Sequence, residues 1–194
     1  MKMPGFYKLF QDKWGQYQSI YLISDTHFGE NDLKQAYPNR PSDEELLAAI
    51  NTKVGKKDIL IHLGDVGSVD FAKRLKGYKI LIAGNHEKGK TAYEDAFQEI
   101  YEGPLCVGEK LILSHEPIPN LTWALNLHGH VHSPNAKSDK WHYNINPDAT
   151  GLYEPIHLGA WLKMGPLANI ESLHRVTIDF ATERKAKRGK RYGI

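Results

Sequence analysis

The sequence predicts an α/β fold in which two sheets pack face to face with helices outside. Three observations lead there. In the first half, short apolar runs alternate with helical patterns, the βαβα order that builds a largely parallel sheet. In the second half, such runs follow one another without long helices between them, so strand must pair with strand. Finally, every core run ends on a polar residue able to do chemistry, and strand C-termini are where open α/β sheets build their sites.

The elements follow in order. Residues 1–18 mix Phe6, Phe10, Trp14 and Tyr17 with polar residues and read as a cap on the sheet. Ser19–Ser24 is the first strand and delivers Asp25, Thr26 and His27. Phe28–Pro41 reads as a polar loop with little regular structure. Ser42 opens a helix. Ser42 and Glu45 have capping-box spacing, Asp43 and Glu44 suit the positive end of the dipole, and Leu46, Leu47, Ile50 and Val54 share one face until Gly55 stops it.

Asp58–Asp65 is nearly continuous in apolar residues, as a strand buried on both faces requires, and Gly64 turns the chain so that Asp65 stands at its end. A short helix is expected over Val69–Lys76, closed by Gly77. Lys79–Ala83 is the next strand and delivers Gly84, Asn85 and His86. Ala92, Ala96, Phe97 and Ile100 fall on related faces, which predicts a helix over Thr91–Tyr101. Lys110–Ser114 delivers His115, and Thr122–Leu127 delivers His128, Gly129, His130, Val131 and His132. His142–Asn146 and Arg175–Phe180 alternate like half-exposed strands, and Pro155–Leu158 is a further candidate. No repeat or linker divides the chain, so residues 1–194 are expected to form a single domain.

Composition narrows the class. At 194 residues, with 41% hydrophobic and 25% charged, this is an ordinary globular chain. It has no apolar run of membrane-spanning length and no secretory h-region at its start, so a cytoplasmic location without membrane partners is expected. Cys106 is the single cysteine, which excludes a disulfide framework and a cysteine zinc site. Ten histidines are the unusual feature, and six stand in or beside the strand-end motifs.

Those strand ends carry Asp25 and His27, Asp65, Asn85 and His86, His115, and His130 and His132. Carboxylate, imidazole and amide oxygen together suit manganese, iron, zinc, cobalt or nickel. Residues two apart in an extended segment point the same way. Asp25 with His27, and His130 with His132, can therefore each face one centre or bracket two. Taken singly, Asp-Thr-His or Gly-Asn-His is an ordinary turn and His115 an ordinary core histidine. Five such pieces at five strand ends are poorly explained that way.

The ordered set Asp25-Thr26-His27, Gly64-Asp65, Gly84-Asn85-His86, His115 and Gly129-His130-Val131-His132 resembles the calcineurin-like metallophosphoesterase superfamily, over roughly residues 19 to 160. The resemblance implies a four-layer α/β/β/α sandwich of two mixed sheets flanked by helices. It also implies two divalent metal ions, manganese first, with iron, zinc, nickel or cobalt as alternatives. Asp25, His27 and His132 would hold one ion, Asn85, His115 and His130 the other, and Asp65 would bridge. His86 would be the catalytic histidine rather than a ligand. The implied activity is hydrolysis of a phosphodiester or phosphomonoester through a metal-bridging hydroxide.

Arg40 is the loop residue nominated for substrate, because a guanidinium grips phosphate bidentately. His62 reads as a packing residue and His128 as a supporting one. Small bacterial and phage members of the superfamily look similar around Asp25-Thr26-His27-Phe28-Gly29, but where many carry histidine after the glycine this chain has Glu30. The protein phosphatase pattern Gly-Asp-x-x-Asp-Arg is not met by Gly64–Asp70. A small phosphoester is thus the first expected partner. The alternative is nucleic acid, helped by the basic tail at 181–194, which otherwise reads as a solvated terminus. A non-catalytic scaffold is the remaining reading, and the intact His86 and ligand set argue against it. Nothing in the sequence sets an oligomeric state.

Overall fold

A computed structural model describes residues 5–15, 19–87, 89–133 and 138–171. The expected Arg175–Phe180 strand and the basic tail lie outside them. Helix α1 (Lys8–Trp14) buries Phe10 and Trp14. Strand β1 (Ile20–Ile23) follows. The segment expected to be an irregular loop contains a short helix, α2 (Asn31–Ala36), that buries no residue. With no apolar face to bury, this helix left no periodic signal. Helix α3 (Asp43–Lys53) starts at the reciprocal Ser42–Glu45 capping box and buries Leu46, Leu47 and Ile50. Strand β2 (Ile59–His62), α4 (Val69–Arg74) and β3 (Tyr78–Ile82) come next, each inside its expected range or within one residue of it.

The helix expected over Thr91–Tyr101 does not form. A single 3₁₀ turn at Lys90–Tyr93 is followed by strand β4 (Glu99–Tyr101), which pairs with β3 in parallel register from Ile80↔Glu99 to Ile82↔Tyr101. Gln98 welds the junction: its amide donates to the Lys79 carbonyl, and its side chain accepts from the Lys79 amide. An open sheet edge overrode a weak helical periodicity.

The second sheet has strands β5 (Leu105–Gly108), β6 (Leu111–Leu113), β7 (Leu125–His128) and β8 (His142–Asn144). A one-turn helix α5 (Pro147–Thr150) is capped by the Asn146 side chain. Strand β9 (Ile156–His157) then runs into α6 (Leu158–Lys163), whose first turn is capped by His157. No expectation covered α1, β5, α5 or α6.

One sheet has the order β4-β3-β2-β1-β9, parallel except for β9; the other has the order β5-β6-β7-β8, parallel except for β5. These are two mixed sheets flanked by helices, as the fold class required. Alternation along β2 does the layering. Ile59 and Ile61 face the inter-sheet core with Leu111, Leu113, Leu125 and Leu127, whereas Leu60 faces Leu46, Leu47, Ile50 and Ala72 of α3 and α4. Outside the second sheet, Ile112 packs on Leu121 and Ala124.

One detail of register positions the site. β1 pairs with β2 up to Ile23↔His62, and the ladder continues beyond both strands. The Asp25 amide donates to the Gly64 carbonyl, His27 to Asp65, and Phe28 to Val66. Asp25, His27 and Asp65 therefore emerge side by side from neighbouring parallel strands.

Candidate metal centre

The backbone at the strand ends is bent sharply enough to be costly. Asp25, His27, Asp65 and His130 have φ of 51°, 42°, 57° and 65°. A non-glycine residue in that region costs about 1–3 kcal/mol and persists only where its surroundings enforce it. Two neighbouring glycines are explained by close approach. A Cβ at Gly84 would strike the Asp65 carboxylate, and one at Gly129 would strike the Asp25 carboxylate and the Ser24 side chain.

Two groups of side chains converge. The donor atoms of Asp25, His27 and His132 all lie within 4.8 Å of one another, and so do those of Asp65, His115 and His130. Asn85 joins the second group: its Oδ1 is 2.9 Å from His115 Nε2 and 3.0 Å from His130 Nδ1. Between the groups lies Asp65 Oδ2, 3.6 Å from His27 Nε2 and 3.3 Å from His115 Nε2. Asp65 Oδ1 accepts the His86 amide at 2.9 Å. The His86 side chain is exposed, with its ring 5.2 Å from that of His27. Together with His27 and Glu30 it makes a third convergent group.

Hydrogen bonds fix which nitrogen each ring presents. His27 Nδ1 is 2.8 Å from Glu30 Oε2, His115 Nδ1 is 2.8 Å from the Leu63 carbonyl, and His132 Nδ1 is 2.8 Å from Asp148 Oδ2. Each of these acceptors draws a proton to Nδ1 and leaves the Nε2 lone pair facing the centre, the arrangement that supports metal-ligating histidines. His27 Nε2 is buried and has no hydrogen-bond partner among the described residues. Such an atom is costly to bury unless something else coordinates it. A nitrogen and oxygen donor set with an orphaned imidazole lone pair fits a borderline divalent cation.

Electrostatics separate the two carboxylates. Burial pushes Asp25 up to about 6. Burial acts the same way on Asp65, but the His115 side chain, the His86 amide and nearby histidine charges outweigh it and hold it at about 2. His115 is raised: burial would lower it, and the Asp65 carboxylate overcomes that. His62 sits fully buried behind the site, and desolvation pulls it down to about 3. Its Nε2 is 2.9 Å from Thr26 Oγ1, which itself donates to the Val66 carbonyl, so a neutral His62 holds the residue between Asp25 and His27.

The structure corrects the expectation for Arg40. Its guanidinium is buried and faces inward. Nη1 pairs with Asp148 Oδ2 at 2.6 Å, and Nη2 donates to the carbonyls of Asp25 and Thr26. Proline on its C-terminal side and the α3 cap direct the chain under the site rather than over it. Three acidic residues support the site. Glu30, which the sequence marked only as a departure from the histidine of similar proteins, meets His27 Nδ1; sequence reading missed the other two, Glu87 and Asp148. Glu87 accepts from the amides of Asp65, Val66 and Gly84. Asp148 serves His132 and Arg40. Of the two missed, only Glu87 carried a signal, by directly following Gly84-Asn85-His86.

Beside Asn85 and His115 opens a recess of about 420 Å³, lined also by Glu102, Glu116, Ile118 and Pro119.

A fold of this kind with these donors at its strand ends defines a metallophosphoesterase. The chain belongs to the calcineurin-like phosphoesterase family, whose model matches residues 19–144. An uncharacterized protein of Methanocaldococcus jannaschii is 30% identical over 172 residues, covering 76% of this chain and 91% of that one. A crystal structure of a protein of unknown function from Aquifex aeolicus is 27% identical, with a TM-score of 0.62, covering 75% of this chain and 98% of that one. The Pseudomonas putida nuclease MPE is also 27% identical, with a TM-score of 0.43, covering 58% of this chain and 61% of its own. Among the described residues, no helix is long and apolar enough to cross a membrane.

Proposed function

We propose that the chain hydrolyses small phosphodiesters at a centre for two divalent cations, manganese first, with Asp65 shared between them. The observation that carries this is the position of Asp65 Oδ2 between His27 Nε2 and His115 Nε2, one from each convergent group. Asp25, His27 and His132 would hold one ion; Asn85, His115 and His130 would hold the other. Two such ions supply an activated water and neutralise charge on the phosphoryl oxygens.

The residues do the rest. Glu30, Asp148 and the Leu63 carbonyl keep three imidazoles in one tautomer. The hydrogen bond that the His86 amide donates to Asp65 Oδ1 sets the backbone so that the exposed His86 ring lies beside the centre. From there it can protonate the departing alkoxide, an effect of typically about 10²–10⁴-fold. The recess offers room for one ester substituent. It carries Glu102 and Glu116 and no lysine or arginine among its lining residues, which favours a small uncharged ester substituent over a polyanionic one.

The test is hydrolysis of a chromogenic phosphodiester and the matching monoester by purified protein, with and without Mn²⁺. Turnover of the diester that requires added metal supports the reading. Preference for the monoester would shift the substrate class, and activity indifferent to chelation would overturn the metal role.

A further inference from the structure

Asp148 is reached by neither the sequence motifs nor the ligand set, yet it touches the site twice. Its side chain is fully buried. One oxygen, Oδ2, meets His132 Nδ1 at 2.8 Å and Arg40 Nη1 at 2.6 Å; the other accepts the Tyr153 hydroxyl at 2.9 Å. Arg40 then passes the connection on, because its Nη2 donates to the Asp25 and Thr26 carbonyls. Those carbonyls belong to the segment that holds Asp25 and His27 at positive φ. Asp148 itself is seated rigidly. Its amide is capped by Asn146, and the Asn144 side chain at the end of β8 donates to the Val131 carbonyl between His130 and His132.

Apart from the Tyr153 hydroxyl, the side-chain contacts of Asp148 and Arg40 lead to the His132 ring and to the backbone of Asp25 and Thr26, and none is made directly to Asn85, His115 or His130. A buried ion pair is weak grounds for stability, since apolar residues of similar volume often replace it at little cost. Its value here lies in geometry. With a proton held on His132 Nδ1, the Nε2 lone pair points toward Asp25 Oδ1, 3.5 Å away.

We propose that Asp148, acting with Arg40, is a positioning residue for one half of the centre: it sets the tautomer of His132 and the backbone under Asp25, and so controls affinity for one cation and not the other. This deepens the two-cation reading and rests on it.

The test counts bound Mn²⁺ by elemental analysis and equilibrium titration in the full chain, in Asp148→Asn and in Asp148→Glu. Asp148→Asn should keep one ion at wild-type affinity and bind the second about 10–100-fold more weakly, the usual cost of losing such an outer contact. Asp148→Glu, which restores the charge, should recover part of that loss. Wild-type affinity for both ions in Asp148→Asn overturns the proposal, as does equal weakening of both. Should the variant not fold, the unaltered chain decides. Long-range ¹H–¹⁵N spectra of the zinc-loaded protein must find His132 protonated at Nδ1; protonation at Nε2 overturns the assignment. Because metal is counted directly, absence of esterase activity would count against the proposed function without touching this result.

Discussion

The amide of His130 donates to both carboxylate oxygens of Asp25, at 3.0 Å each. His130 follows the end of β7 in the second sheet, and Asp25 follows the end of β1 in the first. The site is therefore the seam where the two sheets meet, and the same groups that would hold metal also hold the sheets in register.

A side chain at Gly129 should open that seam. A Cβ there would meet Ser24 Cβ at 2.6 Å and press on the Asp25 carboxylate. Gly129→Ala should cost about 1–3 kcal/mol, the usual range for overpacking, and weaken metal binding as well. Thermal melts with and without Mn²⁺ check both. A variant with wild-type melting and an unchanged metal-induced shift would show that the contact relaxes freely.

His86 should behave differently from every proposed ligand. His86→Ala is expected to keep its full metal content and lose about 10²–10⁴-fold in turnover. Loss of metal in step with activity would make His86 a ligand instead.

Metal affinity should fall on acidification. Burial raises Asp25 to about 6, so the folded chain binds a proton there more readily than the unfolded chain. That group's contribution to stability is greatest below the usual carboxylate range and is lost as pH rises through about 6. A cation must displace this proton, so affinity drops by roughly tenfold per pH unit below that value for one proton. The raised His115 adds in the same direction, while Asp65, held at about 2, stays ionised throughout. Mn²⁺ titrations at about pH 5 and about pH 7.5 bracket the expected change. An affinity that does not vary between them would contradict it.

Much of this was legible in the sequence, and what was not has identifiable causes. β1, β2 and β3 announce themselves because strands largely buried on both faces are nearly continuous in apolar residues, and α3 because Ser42 and Glu45 cap it. The convergent residues were legible as motifs at strand ends, since chemistry and turn geometry coincide there. Thr91–Tyr101 misled because its turn, not a helix, places Tyr93, Ala96 and Phe97 inward, and only the vacant edge of β3 explains β4. Arg40 misled for a similar reason. A guanidinium in a polar loop looks available to phosphate, and nothing local says that Asp148, distant in sequence, will bury it. Contacts that act through another residue leave no local pattern.

Glu87 offers a check on the support beneath the motifs. Its carboxylate accepts from the amides of Asp65, Val66 and Gly84. Glu87→Ala should cost about 1–3 kcal/mol, because partly buried donors lose their acceptor. Chemical denaturation measures it. A change within about 0.5 kcal/mol, typical of an ordinary surface site, would mean that water replaces the carboxylate easily.

The central claim is that Asp65 is shared by two cations that together make the chain a phosphoesterase. Its most direct test counts Mn²⁺ per chain in the wild type and in Asp65→Ala and measures hydrolysis of bis(p-nitrophenyl) phosphate by the same samples. The account predicts two ions and metal-dependent turnover in the wild type, with both failing together in the variant. A single ion in the wild type, or turnover that survives in Asp65→Ala, would contradict it.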